Sequence, residues 1–182
     1  MAEPGHLPAR IEGAGFVLRP WRQDDLEALL EHADDAEVVR GLSDRFPHPY
    51  TRADGEAFLA GGVVDLASAW AIEIEGLACG GIGLRLGDGE RAHGASLGYW
   101  LGRRHWGRGY MTRIVAAYLA QMVPAHGLRR VEASVLAGNP ASARVLEKNG
   151  FVLEGTARAV VCKAGRFRDL CCFARLWGDA AG

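Results

Sequence analysis

The segment that most constrains this chain is GYWLGRRHWGRGYMTR, residues 98–113, in which an apolar stretch runs into a loop rich in glycine and arginine. The apolar stretch predicts a strand, the loop contains Gly107 and Gly109, and the residues after it have helical spacing. Such a loop presents backbone N–H groups at the positive end of a helix, an arrangement that binds phosphate. The arginines of the loop can add charge-assisted hydrogen bonds to an anion. The segment therefore predicts an anion site.

The overall charge indicates that this anion site is local. The chain has 182 residues, of which 49% are hydrophobic and 24% charged, as expected for one domain with a full core. Its formal net charge is -1 and its pI is about 6.6. No global positive field is present to attract nucleic acid or an anionic membrane, so neither is expected as a partner.

Cysteine usage and the termini predict a cytoplasmic protein. The four cysteines include no C-x-x-C pair, which favours reduced thiols. The first residues, MAEPGHLPARIEGAG, lack the basic start and apolar run of a secretory signal. No apolar stretch reaches the roughly 18 residues of a membrane-spanning helix.

The periodicity along the chain predicts one α+β (mixed α/β) domain over residues 15–177, with a flexible segment at 1–14 and a short tail at 178–182. The predicted helices are RQDDLEALLEHADDAEVVRGL, a helix capped by Thr51, a central helix from Gly109 to Pro124, and NPASARVLEKNG. The predicted strands are FVLRPW, SAWAIEIEG, LACGGIGLRLGDGE, HGASLGYWL, RRVEASVL, FVLEGTARAVV and FRDLCCFARLW.

Three phosphate-binding motifs compete for the glycine loop. The spacing of Gly102 and Gly107 imitates a P-loop, but Arg108–Gly109 replaces the Lys-Ser/Thr pair, which disfavours a nucleotide triphosphatase. A dinucleotide fingerprint needs a third glycine where the chain has Tyr110–Thr112. The pattern that remains is R-x-x-G-x-G, although a tight turn without a ligand would also use these glycines.

This pattern, between the GYWL strand and an amphipathic helix, resembles motif A of the GNAT N-acetyltransferases, which bind the pyrophosphate of acetyl-CoA. Downstream, RRVEASVLAGNPASARVLEKNGFVLEG resembles the GNAT branch of the ribosomal-protein alanine N-acetyltransferases (RimJ/RimL-like), as do FPHPYT and WAIEIEG upstream. The resemblance covers residues 15–177. It implies the GNAT fold, a twisted, mostly antiparallel sheet with helices on both faces and two splayed central strands.

The resemblance also implies roles for individual residues. Acetyl-CoA would lie between the strands SLGYWL and VEASVL, with the pantetheine arm paired to the strand backbone. Ser142 would be catalytic, near the sulfur, although a serine in the first turn of a helix is also unremarkable. Asn139 followed by Pro140 is equally an ordinary helix opening. The implied cofactor-binding residues are Trp100, Leu101, Arg104, Gly107, Arg108, Gly109, Tyr110, Thr112 and Asn139.

The catalytic base is where this sequence departs from its relatives. Many GNAT proteins carry a glutamate two residues before the glycine of the GY pair, where this chain has Ser96. Glu132, on the adjacent strand, is the predicted catalytic replacement and Glu73 the alternative, and either can instead be an ion-pair partner. No metal is expected, since neither His93 nor His105 has a partner at ligand spacing.

These features predict transfer of acetyl from acetyl-CoA to a primary amine. A weak base favours an amine of low pKa, so the N-terminal α-amine of a protein or peptide is the favoured acceptor. Small-molecule amines, or a CoA-binding regulator without turnover, are the alternatives. Phe46, His48 and Tyr50 are predicted to line one wall of the acceptor pocket, facing the hairpin tip CKAGRFRD. The protein could be a monomer or a homodimer.

Overall fold

An eight-stranded sheet forms the centre of the protein, which the computed structural model describes for residues 8–43 and 46–178. The strands are β1 (Ile11–Gly13), β2 (Phe16–Pro20), β3 (Ala69–Ile74), β4 (Leu77–Leu86), β5 (Gly94–Leu101), β6 (Arg130–Leu136), β7 (Val152–Lys163) and β8 (Arg166–Leu176). Their order is β1-β2-β3-β4-β5-β6-β8-β7, and only the β5–β6 pair is parallel. The predicted twisted, mostly antiparallel GNAT sheet is confirmed.

Helices cover both faces of the sheet, as predicted. They are α1 (Leu26–Ala33), α2 (Ala36–Arg40), α3 (Arg52–Leu59), α4 (Tyr110–Ala125) and α5 (Pro140–Lys148). On one face α4 buries a stripe at helical spacing that forms the main core with the sheet: Ile114, Val115, Tyr118, Leu119, Met122 and Val123. A smaller core on the other face joins Leu29 of α1 and Leu59 of α3 to Ala71 of β3. No helix among the described residues is long and apolar enough to cross a bilayer.

The turns follow the sequence closely. Glu75 and Gly76 join β3 to β4 with positive φ values of 54° and 81°, which suits a two-residue hairpin turn. Ala164 and Gly165 join β7 to β8 in the same way, with φ values of 48° and 71°. Thr51 caps α3 as predicted, because its side chain accepts a hydrogen bond from the backbone of Asp54.

The N-terminal boundary differs from the prediction. Residues 1–7 lie outside the described residues, but Ile11–Gly13 form β1, which pairs with β2. Ile11 is only 6% exposed, so an apolar side chain anchors this strand in the core. The prediction of a flexible segment as far as residue 14 is therefore wrong for β1. Most of the predicted tail, residues 179–182, lies outside the described residues.

The first long helix is broken where two aspartates follow each other. The sequence predicted a single helix here, but α1 ends at Ala33 and α2 begins only at Ala36. Asp35 caps α2 by accepting a hydrogen bond from Glu37 N at 2.9 Å, and Asp34 accepts one from Tyr50 N at 2.9 Å. Short acidic side chains offer the backbone hydrogen bonds that compete with those of the helix. The apolar spacing continues across both helices, so it did not predict the break.

The parallel strands β5 and β6 separate after a short paired stretch. Their register ends at Ser96 opposite Glu132, whereas β5 stays paired with β4 as far as Leu101 and β6 with β8 as far as Leu136. The predicted splay, which is the gap between the diverging ends of β5 and β6, is thus confirmed. It opens toward the ends of the two strands, from which the chain continues into α4 and α5.

Candidate functional site

The glycine loop ends in a helix start whose N–H groups point outward. Gly107 and Gly109 have φ values of 73° and 71°, a left-handed conformation that glycine adopts without steric cost. Gly109 is the N-cap residue of α4 and offers no side chain to the first N–H groups of the helix. A Cβ built on Gly107 would meet nothing within 4 Å, so the space beside it is open.

Positive charge collects at this helix start without a compensating acid. The first turn of α4 contains no acidic residue, although acids normally stabilise a helix N-terminus. Arg113 stacks over the Tyr110 ring at 4.9 Å and donates a hydrogen bond to the carbonyl of Arg108 at 3.2 Å. An anion bound here would offset both arginines and the helix dipole. The sequence prediction missed Arg113, whose signal was a cation in the first turn of the helix.

The side chain of Arg104, a predicted cofactor contact, is held by other residues of the protein. It forms an ion pair with Glu31 of α1 at 2.8 Å, and the neighbouring Arg103 pairs with Asp35 at 2.9 Å. The two arginines therefore tie the loop to α1 and α2. Among the predicted arginines, only Arg108 has no ion pair within the described part of the chain.

Two further predicted residues, Tyr110 and Thr112, contact neighbouring elements of the protein. A Cβ on Gly15 would lie 3.3 Å from the Tyr110 hydroxyl, so the Tyr110 side chain packs toward the β1–β2 turn. The carbonyl of Thr112 accepts a hydrogen bond from the buried Asn149 side chain at 3.2 Å, which joins α4 to α5.

A buried pair of histidines lies where the glycine loop packs against α1. His32 of α1 and His105 are each 4% exposed, and their ring centroids are 5.7 Å apart. Burial lowers the pKa of both rings, and the positive charge of Arg104 lowers it further. His105 accepts a hydrogen bond from Arg104 at 3.2 Å and thus is not the isolated histidine suggested by the sequence. Within residues 8–43 and 46–178, no group of three or more potential ligands could hold a metal ion.

This pair predicts a loss of stability in acid. Because the pKa values are lowered in the folded state, the unfolded protein binds more protons below about pH 6.5, the ordinary value of histidine. The stabilisation is complete above that pH and is lost as the pH falls through the folded pKa values. We expect thermal unfolding to show a smaller decrease in Tm between about pH 7 and about pH 5 in His105→Gln than in the wild type. The exposed His93→Gln should behave like the wild type, and an equal decrease in all three proteins would contradict the assignment.

The splay leaves backbone groups of β5 free on alternate residues. Gly102 N donates to Cys79 O at 2.7 Å, and Leu101 lies opposite Gly80, so even-numbered residues at this end of β5 point their N–H and C=O groups at β4. Tyr99 and Leu101 point theirs into the splay. The backbone of Trp100 therefore cannot pair with a ligand there, and that part of the prediction shifts to Tyr99. The Leu101 carbonyl already accepts a hydrogen bond from the Trp106 indole at 2.7 Å, so Leu101 offers its N–H.

The start of α5 brings the side chains of Asn139 and Ser142 toward Tyr99 of β5. The Asn139 oxygen accepts the hydrogen bond of Ser142 N at 3.2 Å, which confirms the predicted cap. The Ser142 hydroxyl lies 2.9 Å from the hydroxyl of Tyr99, which bridges the splay from β5. Burial raises the pKa of Tyr99 to about 12, so this hydroxyl stays protonated at neutral pH. Tyr99 was missed as a functional residue because its neighbour across the splay is remote in sequence.

The two glutamates considered as bases differ in availability. Glu132 has a half-exposed side chain whose neighbours are the Ser96 hydroxyl at 3.4 Å and Arg130 at 3.7 Å, both beyond strong hydrogen-bonding distance. Glu73 instead accepts a hydrogen bond from the buried Arg19 at 2.5 Å, and Arg19 also binds Asp25 with two hydrogen bonds of 2.7 Å. Glu73 is thus an ion-pair partner, whereas Glu132 faces open space at the base of the splay.

A cavity of about 790 Å³ lies on the α1–α3 face of the sheet and reaches the splay. Phe46 and Tyr50 line it as predicted, but His48 is instead paired with Asp34 at 3.2 Å. The Lys163 amine at the β7–β8 hairpin tip donates to the carbonyls of Val39, at 2.7 Å, and Leu42, so the hairpin closes this end of the site. The cavity and the α4 start lie on opposite faces of the sheet and meet at the splay.

Comparison with known proteins agrees with this geometry. The acetyltransferase (GNAT) domain family matches residues 16–152, and the chain belongs to this family. Over 174 residues it is 27% identical to the uncharacterized N-acetyltransferase p20 of Bacillus licheniformis, covering 92% of this chain and 96% of that protein. It is 30% identical to the ribosomal-protein-serine acetyltransferase of Escherichia coli over 82 residues, which cover 45% of this chain and 46% of that one.

A solved structure shares the whole fold. RimL, a ribosomal L7/L12 α-N-protein acetyltransferase in complex with coenzyme A, superposes with a TM-score of 0.81 at 21% identity, covering 92% of this chain and 97% of that chain. The family match and the sequence relatives show an acetyl-CoA-dependent N-acetyltransferase. The uncapped start of α4, its unbalanced arginines and the free edge of β5 fit a long ligand with a pyrophosphate.

Proposed function

We propose that this protein acetylates the N-terminal α-amine of a protein or peptide. The observation that carries the proposal is the carboxylate at the splay. Ser96 replaces the usual glutamate, and the remaining carboxylate at the splay, Glu132, is half-exposed and makes no strong hydrogen bond. Without the usual base, turnover depends on the fraction of amine that is already neutral, which is far larger for an α-amine than for a lysine. The named ribosomal-protein relatives support the same acceptor class.

Residues on the two sides of the splay have different proposed roles in the reaction. Bound acetyl-CoA supplies a thioester carbonyl for attack by a neutral amine. On the cavity side, Glu132 receives the amine proton directly or through water. On the α5 side, the Ser142 hydroxyl is placed to donate a hydrogen bond to the sulfur that leaves as the CoA thiolate. The Leu101 N–H, directed into the splay, is the proposed donor to the developing oxyanion.

Tyr99 is the proposed positioning residue for Ser142. The tyrosine has one hydroxyl proton, and the oxygens within its reach are Ser142 Oγ at 2.9 Å and the Ser142 carbonyl at 3.2 Å. When Tyr99 donates to Oγ, the hydrogen of Ser142 must point elsewhere and is available to another acceptor. Tyr99 thus sets the direction in which Ser142 donates.

The acceptor class is tested with matched peptides. An α-amine of pKa about 7.7 to 8.0 is roughly 10 to 20% neutral at pH 7, against about 0.04% for a lysine of pKa about 10.4. We expect kcat/KM for a peptide with a free α-amine and no lysine to exceed that of its Nα-blocked, lysine-containing counterpart by on the order of 100-fold. A better rate with the lysine peptide would refute the proposal.

The role of Glu132 has its own test. We expect Glu132→Gln to lower kcat by about 10- to 100-fold at pH 7 and to shift the rising limb of the pH profile upward, because free amine must then form without the base. Glu12→Gln is the control, since Glu12 lies on β1, where it pairs with Arg10 at 2.8 Å. An unchanged pH profile in Glu132→Gln would assign proton removal to another group.

A further inference from the structure

The floor of the cavity is bare backbone beside the splay. Gly98 on β5 lies directly opposite Gly83 on β4, and both line the cavity. A Cβ built on Gly98 would meet nothing within 4 Å. Gly98 lies between Ser96 and Trp100 on the same face of β5, because alternate residues share a face. An acceptor can therefore lie against the strand at this point, next to Glu132.

The wall above this floor is aromatic. We define the aromatic wall as the cavity-lining rings Trp21, Phe46, Tyr50, Phe58 and Trp100. The rings contact one another: Trp21 meets Phe58 edge-on at 5.2 Å, and Phe46 lies 5.0 Å from Tyr50 and 5.3 Å from Trp100. Such a preformed cluster, with Phe46, Phe58 and Trp100 only partly buried, offers apolar surface to a ligand.

The rim of the cavity continues this apolar character. Val63 and Val64, which follow α3, line the cavity with 46% and 40% of their surface exposed. Leu42 lines it beside the aromatic wall. An apolar group entering the cavity would remove water from these side chains as well as from the rings.

Three charged residues of the described chain line the cavity, and of these Asp54 lies near Tyr50 of the aromatic wall. The Asp54 Oδ2 atom accepts hydrogen bonds from the Thr51 N–H at 2.8 Å and hydroxyl at 2.5 Å, which hold the carboxylate at the start of α3. Glu132 is at the splay, and Arg85 lies opposite Ser96 at the same level of the sheet. An acidic acceptor side chain placed against the rings would lose water and meet the like charge of Asp54.

We propose that the acceptor site selects amines whose neighbouring substituent is a bulky apolar side chain, aliphatic or aromatic, which packs against the aromatic wall while the amine crosses Gly98 to reach the splay. This proposal rests on the proposed function in taking the cavity as the acceptor side. It adds a substrate class: an N-terminal residue such as leucine or phenylalanine, in preference to serine, alanine or an acidic residue.

The test is a series of peptide amides, X-Ala-Ala, that differ only in the first residue. With acetyl-CoA saturating, we expect kcat/KM for leucine and phenylalanine to exceed that for alanine and serine by at least about 10-fold, with aspartate lowest, since even one methylene in an apolar pocket is worth roughly 10- to 200-fold. Equal or better rates with serine, alanine or aspartate would overturn the proposal.

Variants connect this preference to the cavity. Phe58→Ala should reduce the leucine-to-alanine ratio several-fold, whereas Phe167→Ala, which removes a ring that is 73% exposed on β8, should leave it unchanged. Gly98→Val should lower kcat/KM for every acceptor without changing the Kd of acetyl-CoA, which also shows that the variant is folded. A leucine-to-alanine ratio that is unchanged in a folded Phe58→Ala would overturn the assignment.

A second series separates this proposal from the choice of a peptide acceptor. Phenethylamine and isoamylamine carry the apolar group without a peptide, and ethanolamine is their polar counterpart. If the two apolar amines are acetylated and no peptide is, the N-terminal acceptor is wrong and the apolar site stands. If neither the apolar amines nor the apolar peptides are acetylated, the apolar site is wrong.

Discussion

Gly107→Glu is expected to abolish acetyl-CoA binding, raising the Kd at least about 100-fold in calorimetry. The substitution places a carboxylate in the open space beside the start of α4, where the N–H groups, Arg108 and Arg113 favour an anion. A carboxylate held there competes with the pyrophosphate by charge and by volume.

The strain of the substitution needs a control of its own. A residue other than glycine in the left-handed conformation costs roughly 1–2 kcal/mol. Gly76→Glu carries the same cost at a turn where φ is 81° and the space for a Cβ is equally open. Both variants should lose similar stability, and only Gly107→Glu should lose binding. If Gly107→Glu still binds acetyl-CoA, the loop is only a turn and does not hold the pyrophosphate.

Ser142→Ala is expected to lower kcat by about 100-fold, because removing one positioned hydrogen-bond donor to a developing anion costs roughly 10²- to 10³-fold. Tyr99→Phe keeps the ring but removes the hydroxyl that lies 2.9 Å from Ser142, and should lower kcat by about 10-fold. If Tyr99 acts through Ser142, the double variant is no slower than Ser142→Ala alone.

Two readouts distinguish this coupling from a loss of structure. The Kd of acetyl-CoA should change little in either variant, which places the effect in the chemical step. Tyr118→Phe is the matched control, since Tyr118 is buried on the same face of the sheet in α4. Effects of Tyr99→Phe and Ser142→Ala that multiply in the double variant would show that the two hydroxyls act independently.

If the apolar acceptor site and the weak base act together, the enzyme's selectivity has two parts. The pKa of the amine decides which amines are neutral, and the aromatic wall decides which of those are held at the splay. The first part changes with pH and the second does not. A pH series on leucine and alanine peptides should therefore change both rates while preserving their ratio.

Local signals in the sequence predicted most of the elements. The apolar stripe of α4, the hairpin turn at Glu75–Gly76 and the Asn139 cap all involve residues within a few positions of each other, and the structure confirms each of them. The break between α1 and α2 was missed because Asp34 is held by Tyr50, a partner remote in sequence.

By itself the sequence determined most of the order of elements and the glycine loop before α4, since these depend on residue type and local spacing. The resemblance to the family added the missing glutamate at Ser96. Only the tertiary structure decided which groups are free to act. It turned Arg104 toward Glu31, occupied Glu73 with Arg19, directed the backbone of Tyr99 rather than Trp100 into the splay, and brought Tyr99 to Ser142. The physical reason is that ion pairs, strand register and contacts across the sheet join residues far apart in the chain. The hydrophobic periodicity of a sequence reflects only local spacing and does not predict them.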